Sequence, residues 1–150
     1  MQYRLYIPED FSALYAVEEV CFEPPFRFGL RYMKQLVSSA NAATWIAEED
    51  GRLAGFAIVQ WERVAGEGIA YLQTIEVMPE ARGRGVGAEL LTRSEEAARA
   101  AGAARIWLHV DEENTGAIRM YQRHGYVFEG RQEDYYPHGR GALIAVKVLS

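Results

Sequence analysis

The spacing of apolar side chains changes several times along the chain, and each change predicts an element. Residues 2–7 read as a first strand, stopped by Pro8. Over 9–21, Phe11, Leu14, Val17 and Val20 recur roughly every third residue, which predicts an amphipathic helix. Pro24 and Pro25 must break it, because neither can continue a helix. Leu30, Met33, Leu36 and Val37 predict a second helix over about 28–39. Apolar runs at 44–47 and 53–59 flank Asp50-Gly51, a hairpin signal, and 65–68 form the next turn. Residues 69–78 then predict a strand. A helix with Val86, Leu90, Leu91, Ala97, Ala98 and Ala101 on its apolar side follows, with Gly102 as its C-cap. Residues 105–110 are a short strand, and Asn114 opens a helix that carries Ile118 and Tyr121 and closes at Gly125. Two last strands, about 126–134 and 141–148, bracket Pro137-His138-Gly139. The order is β-α-α-β-β-β-α-β-α-β-β, an α/β pattern with no linker or repeat.

Between the strand at 69–78 and the helix after it stands Arg82-Gly83-Arg84-Gly85-Val86-Gly87-Ala88. Its glycines permit positive φ and leave backbone N–H groups uncovered. Consecutive N–H groups at a helix start form an anion-binding concavity, so a phosphorylated ligand is expected. A dinucleotide loop would read G-x-G-x-x-G and a triphosphate loop G-x-x-x-x-G-K-[ST]; neither is present. The alternative is a glycine-rich turn that merely joins a strand to a helix. The pattern Arg82-x-x-Gly85-x-Gly87 resembles the acetyl-CoA pyrophosphate loop of the GNAT N-acetyltransferase superfamily, and the element order resembles that fold over the whole chain. The resemblance implies one α/β domain over residues 1–150, with a mixed, mostly antiparallel sheet of about seven strands and four helices. It implies acetyl-CoA held by Ile75, Val77, Arg82, Gly83, Arg84, Gly85, Val86, Gly87, Ala88, Asn114 and Tyr121, with the Val77 N–H offered to the acetyl carbonyl.

Composition narrows the setting. Charged residues are 25% and hydrophobic ones 49%, ordinary for a soluble domain, and the net charge of −5 argues against a general nucleic-acid binder. Cys21 is the only cysteine, which excludes an internal disulfide and a cysteine-based metal site. His109, His124 and His138 are scattered and lack ligand spacing, so no metal is expected. With no signal peptide and no twenty-residue apolar run, neither export nor a membrane role is expected, and the reading is cytoplasmic. A homodimer stays open.

Acetyl transfer to an amine needs a neutral nucleophile, a base, donors for the developing oxyanion and an acid for the leaving thiolate. Asn114-Thr115-Gly116-Ala117-Ile118-Arg119-Met120-Tyr121 resembles the family's N-x-x-A-[IL]-x-x-Y signature. That resemblance implies Tyr121 as general acid at the sulfur and Asn114 on the pantetheine arm; a core tyrosine and a helix N-cap are the alternatives. His109 stands where bacterial RimI-type enzymes, which acetylate a ribosomal protein's N-terminal alanine, have a glutamate base. Eukaryotic N-terminal acetyltransferases acting on Met-initiated peptides have a histidine there, paired with a tyrosine on the preceding strand, and Tyr71 falls at that position. Strict alternation over 69–78 puts Tyr71, Gln73, Ile75 and Val77 on one face and Glu76 on the other. Tyr71 and His109 are therefore expected to hold a water that relays the proton, with Glu76 as a reserve base that a bulge would be needed to bring round.

Two segments are candidates for the acceptor. Phe22-Glu23-Pro24-Pro25-Phe26 resembles the loop that lines the N-terminal residue's pocket in RimI-type enzymes, Pro24 and Pro25 giving a rigid wall and Phe22 and Phe26 an apolar one; a packed connector is the alternative. Tyr135 and Tyr136 resemble the tyrosine pair that bonds a substrate peptide's backbone, and on a strand only one of two neighbours would face the groove. The expected acceptor is a primary amine, with a protein or peptide N-terminus favoured. A lysine side chain or a small amine (a polyamine, amino acid or aminoglycoside) is the alternative. Glu18, Glu19 and Glu23 either serve a cationic acceptor or form a solvated helix face. A non-catalytic CoA-binding domain would be expected to lack Tyr121 or a base.

Overall fold

Two hairpins organise the first half of the chain. Asp50 and Gly51 both have positive φ, as do Ala65 and Gly66, the geometry that lets a two-residue loop follow the twist of paired strands. The computed structural model describes residues 1–149, the side chain of His138 lying outside the described residues. Strands β1 (Gln2–Leu5), β2 (Ala42–Glu49), β3 (Arg52–Val64), β4 (Glu67–Val77), β5 (Arg105–Asp111), β6 (Val127–Gln132) and β7 (Ala142–Val148) form one sheet in the order β1-β2-β3-β4-β5-β7-β6. Every neighbouring pair is antiparallel except β4 and β5. The four α-helices are α1 (Phe11–Cys21), α2 (Leu30–Ser38), α3 (Val86–Ala100) and α4 (Thr115–Arg123). The predicted order holds. The first strand is shorter than expected because Pro8 opens a 3-10 turn over Pro8–Asp10.

The sheet is covered on both faces. Leu14 and Val17 of α1 and Met33 and Leu36 of α2 pack on Ile46, Phe56 and Ile58. On the other face, Val86 and Leu90 of α3 meet Ala47 and Ala57, and Leu91 joins Val59, Leu72, Ile106 and Leu108. Each large apolar side chain buried fully in these layers contributes about 1.5–3 kcal/mol. No helix among the described residues is long and apolar enough to cross a membrane.

Two irregularities in β4 shape the site. Ile58 pairs with Thr74 but Val59 pairs with Leu72, so Gln73 is an extra residue, a β-bulge. The expected alternation is thereby corrected. Tyr71, Thr74 and Glu76 share the face covered by α1 and α2, whereas Leu72, Ile75 and Val77 face α3. The second irregularity is that β4 pairs with β5 only over Ile69–Tyr71 against Arg105–Trp107. Beyond that point the strands part.

Candidate active site

The parting of β4 and β5 opens a cleft of about 610 Å³, floored by Ile75 and Val77 and closed by the 82–88 loop, with Asn114, Met120 and Tyr121 opposite. Gly85 caps α3 at φ 80°, without a side-chain hydrogen bond at the cap. Gly83 has φ 75°, and a Cβ at either glycine would meet nothing within 4 Å. Backbone angle, not space, therefore requires glycine there. Gly87 differs, since its φ is ordinary and a Cβ would lie 3.4 Å from Met120 Sδ. The open donors at the start of α3 give the cleft an anion-attracting end.

The β4 wall contributes backbone groups of its own. Met78 N–H donates to Ala54 O at 2.8 Å, so the N–H and C=O of Val77 point away from β3. The Val77 carbonyl accordingly accepts from Arg82 Nε at 3.0 Å and from the Cys21 thiol at 3.6 Å. Ile75, two residues earlier, points the same way. Arg84 departs from expectation: its guanidinium is paired with Glu49 on β2, and the residue does not line the cleft.

A second cavity, of about 220 Å³, adjoins the first, and Phe22, Ile75, Asn114, Ala117 and Tyr121 line both. Tyr121 is buried at this junction. Burial above all, then Tyr136, pushes its hydroxyl above the ordinary tyrosine range, which keeps it a proton donor. Asn114 is the N-cap of α4, its Oδ1 accepting from Ala117 N–H at 3.2 Å, and it also reaches both cavities. The two alternatives for Asn114 are thus compatible.

Across the second cavity, the Tyr71 hydroxyl lies 2.8 Å from His109 Nδ1, and His109 Nε2 lies 3.0 Å from Gln132 Oε1. With Gln132 Oε1 accepting from Nε2–H, Nδ1 is left to accept from the tyrosine hydroxyl. The Tyr135 ring stacks on His109 with centroids 4.2 Å apart and planes 13° apart, fixing the ring from the side. Burial first, then Tyr135, pushes the Tyr71 hydroxyl well above its ordinary range. It too is neutral at physiological pH.

Glu76 does not fit the role of a reserve base. It is buried against Glu18 of α1, and burial first, then that carboxylate, pushes it well above the ordinary carboxylate range. A carboxyl that stays protonated at neutral pH has nothing with which to take a proton from an amine.

Phe22 and Phe26 line the second cavity, together with Phe28, but Pro24 and Pro25 stand at the exposed tip of their loop and do not. Tyr135 and Tyr136 both line it, contrary to the one-face expectation. The reason is that β6 ends at Gln132 and Asp134 turns the chain at φ 54°, so the pair is not on a strand. Burial first, then Tyr135, pushes Tyr136 up to about 12. Arg140 lies over the Phe26 ring at 5.0 Å and bonds Asp111 at 2.9 Å. The unforeseen residues are Phe28, Gln132 and Arg140, and Glu18, read as able to form a solvated helix face, is instead buried and lines the second cavity. Only Glu18 carried a local signal, since Leu14, Val17, Glu18 and Cys21 follow the i, i+3, i+4, i+7 spacing of a buried stripe.

Residues 10–126 match the acetyltransferase (GNAT) family. The streptothricin acetyltransferase of Streptomyces lavendulae is 38% identical over 98 residues, covering 65% of this chain and 51% of that protein. The chain spans about half or less of the first curated relatives it matches, 51% and 28% for two of them. The crystal structure of the ribosomal-protein-S18-alanine N-acetyltransferase from Escherichia coli superposes with a TM-score of 0.86 at 24% identity, covering 99% of this chain and 94% of that one. Arabidopsis thaliana NAA60 in complex with acetyl-CoA gives 0.87 at 20% identity, covering 99% and 98%. These structures share the fold.

Proposed function

From a chain that belongs to the acetyltransferase (GNAT) family, we propose an enzyme that transfers an acetyl group from acetyl-CoA directly to a primary amine, the α-amine of a protein or peptide N-terminus. The observation that carries this reading is the meeting of two unlike cavities at Ile75 and Tyr121. One is walled by uncommitted backbone donors, the other by side chains able to move a proton.

The cleft fits the cofactor because the N-terminal donors of α3 have no side-chain cap and because β4 turns N–H groups into it. The backbone of Gly83 to Ala88 would hold the pyrophosphate, Ile75 and Asn114 the pantetheine arm, and the Val77 N–H the acetyl carbonyl. Acetyl-CoA supplies the acyl group as a thioester. The Tyr121 hydroxyl, buried and neutral at the junction, would give a proton to the leaving sulfur. Much of the rate enhancement would come from holding amine and acyl group together at this junction.

A free amine is largely protonated at pH 7, so the acceptor must lose a proton before it attacks. Tyr71 donates its own hydroxyl proton to His109 Nδ1, which leaves oxygen lone pairs for the acceptor's proton, taken directly or through one water. The Gln132 bond and the Tyr135 stack hold the imidazole while it gains charge. An acceptor carrying a backbone would also find a donor in Arg140, whose buried Nε–H has no acceptor among the described residues. This last group favours a peptide.

A small-molecule amine is the second reading, favoured by the 38% identity to the streptothricin enzyme. Acceptor profiling separates the two. Purified protein and acetyl-CoA are offered peptides with free Ala, Ser or Met N-termini, N-blocked lysine peptides and spermidine, with products located by mass spectrometry. Acetyl groups on peptide α-amines are expected. Acetylation of the small amine alone would transfer the assignment to the second reading, and no acetylation of any acceptor would remove both.

A further inference from the structure

Glu18 on α1 and Glu76 on β4 are 0% and 2% exposed where α1 packs on β4, and the Glu18 carboxyl helps to push that of Glu76 above its ordinary range. Each has one oxygen accounted for: Glu18 Oε2 accepts from Phe28 N–H at 3.0 Å, and Glu76 Oε2 accepts from Thr74 Oγ1 at 2.9 Å. The Oε1 of each has no donor among the described residues. Two ionised carboxylates cannot sit buried side by side with oxygens unsatisfied. One proton removes both difficulties, because it turns one oxygen into a donor and gives the other its partner. The Gln73 bulge is what makes the meeting possible, since without it Glu76 would face α3.

We propose that Glu18 and Glu76 share a single proton, and that the protonated pair fastens the Phe22–Phe28 loop to β4 so that acceptor binding weakens when the proton leaves. Glu76 carries the proton and donates it to Glu18, which as the carboxylate also receives the Phe28 N–H. The Phe28 carbonyl is held separately by the Tyr15 hydroxyl at 2.7 Å. Phe28 is therefore gripped from α1 on both sides of its backbone; loss of the proton leaves both grips but breaks the Glu76–Glu18 bond, and repulsion between the two carboxylates then pushes Glu18, with the loop it holds, away from β4. The consequence for acceptor binding rests on the acetyltransferase reading above; the shared proton does not.

The neighbouring groups leave the pair without a compensating cation. On the cleft side, Cys21 is pushed above the ordinary thiol range by burial first and Glu76 next, so it is a neutral thiol, and Arg82 is turned to the Val77 carbonyl and Cys21. In the second cavity Tyr71 and Tyr136 are neutral, His109 is bonded at both nitrogens, Tyr135 stacks on it, and Arg140 is paired with Asp111. The folded-state value of Glu76 is raised, so the pair's contribution is fully present below the ordinary glutamate range and is lost as pH rises through that raised value, on the alkaline side of neutrality.

Infrared difference spectroscopy of the whole protein against Glu76→Gln tests the shared proton without any turnover. A protonated-carboxyl C=O band at neutral pH, fading in strongly alkaline buffer, is expected; carboxylate bands alone would overturn the proposal. The acceptor KM is then followed from neutral to alkaline pH in wild type and Glu76→Gln, whose amide donates the same hydrogen bond but does not titrate. Titration of the amine is common to both proteins and cancels in the ratio. Wild-type KM should rise relative to the variant, approaching about tenfold per pH unit once the proton is lost, while the KM for acetyl-CoA stays parallel. Superimposable acceptor profiles would overturn the fastening role. Glu18→Gln, which keeps an oxygen for Phe28 N–H, gives the same comparison where Glu76→Gln fails to fold.

Discussion

The cleft between β4 and β5 and the aromatic cavity beside it are built in opposite ways. The cleft is made of backbone: consecutive N–H groups at the start of α3, glycines chosen for φ, and one edge of β4. The cavity is made of side chains brought from α1, β4, β5, α4 and the segment after β6, and its key groups are held by contacts far apart in sequence. A backbone site tolerates changes of side chain but not of conformation. A side-chain site responds the other way. The first suits a ligand common to many proteins, the second a feature that distinguishes one protein from another.

Substitutions can break this contrast at either end. The largest effect is expected at the Tyr71–His109 pair, where Tyr71→Phe and His109→Ala should each lower kcat by about 10²–10⁴ with little change in acetyl-CoA binding. The double variant should cost no more than the worse single one, because the two act as a unit. Steady-state kinetics of the three proteins decides it, and independent, multiplying losses would mean separate roles. Next in size is Gly85→Val, which forces a β-branched residue to φ 80° at a cost of about 1–3 kcal/mol. Calorimetry should show acetyl-CoA affinity lowered on the order of 10–100-fold, whereas Gly87→Ala should stay within about threefold of wild type. Equal losses at both glycines would show that space, and not φ, limits the loop.

Smaller effects should mark the cavity walls. Phe26→Ala removes a ring that packs against Tyr136 at 6.0 Å and under Arg140. Acceptor KM should rise several-fold at constant acetyl-CoA KM, corresponding to about 1 kcal/mol of lost aromatic contact. Smallest of all is Arg84→Ala. Its ion pair with Glu49 is on the surface, where solvent screening leaves such a pair little weight, so the melting temperature and acetyl-CoA affinity should barely move. A large loss of affinity in that variant would return Arg84 to the cofactor site.

The same contrast explains what could be read from the chain. The 82–88 loop, its helix and the Asn114–Tyr121 helix are contiguous, so period and glycine spacing were enough to find them. The face occupied by Glu76 was not legible, because a bulge at Gln73 is a property of β3 and β4 together and leaves no mark on β4 alone. Strand alternation predicts that only one of Tyr135 and Tyr136 faces the groove, but β6 stops at Gln132 once the register with β7 is set. The position of Arg84 in the loop points to the cofactor, but its partner Glu49 lies 35 residues away in the sequence. Glu18 was legible in principle, and its charge masked its place in the apolar stripe.

The brevity of the β4–β5 pairing has a consequence for how the molecule breathes. Among the described residues only three ladder pairs join β4 to β5, so the sheet is two halves joined at one end and bridged by α3. The open part of that join is an internal edge, with amides on β4 that face no strand. A ligand lying along it would act as a removable rung, raising the opening free energy of both flanks together. Amide hydrogen exchange should then slow on ligand binding at Ile75–Val77 and Leu108–Asp111 in step, while the β2–β3 hairpin, paired along its length, keeps its own rate.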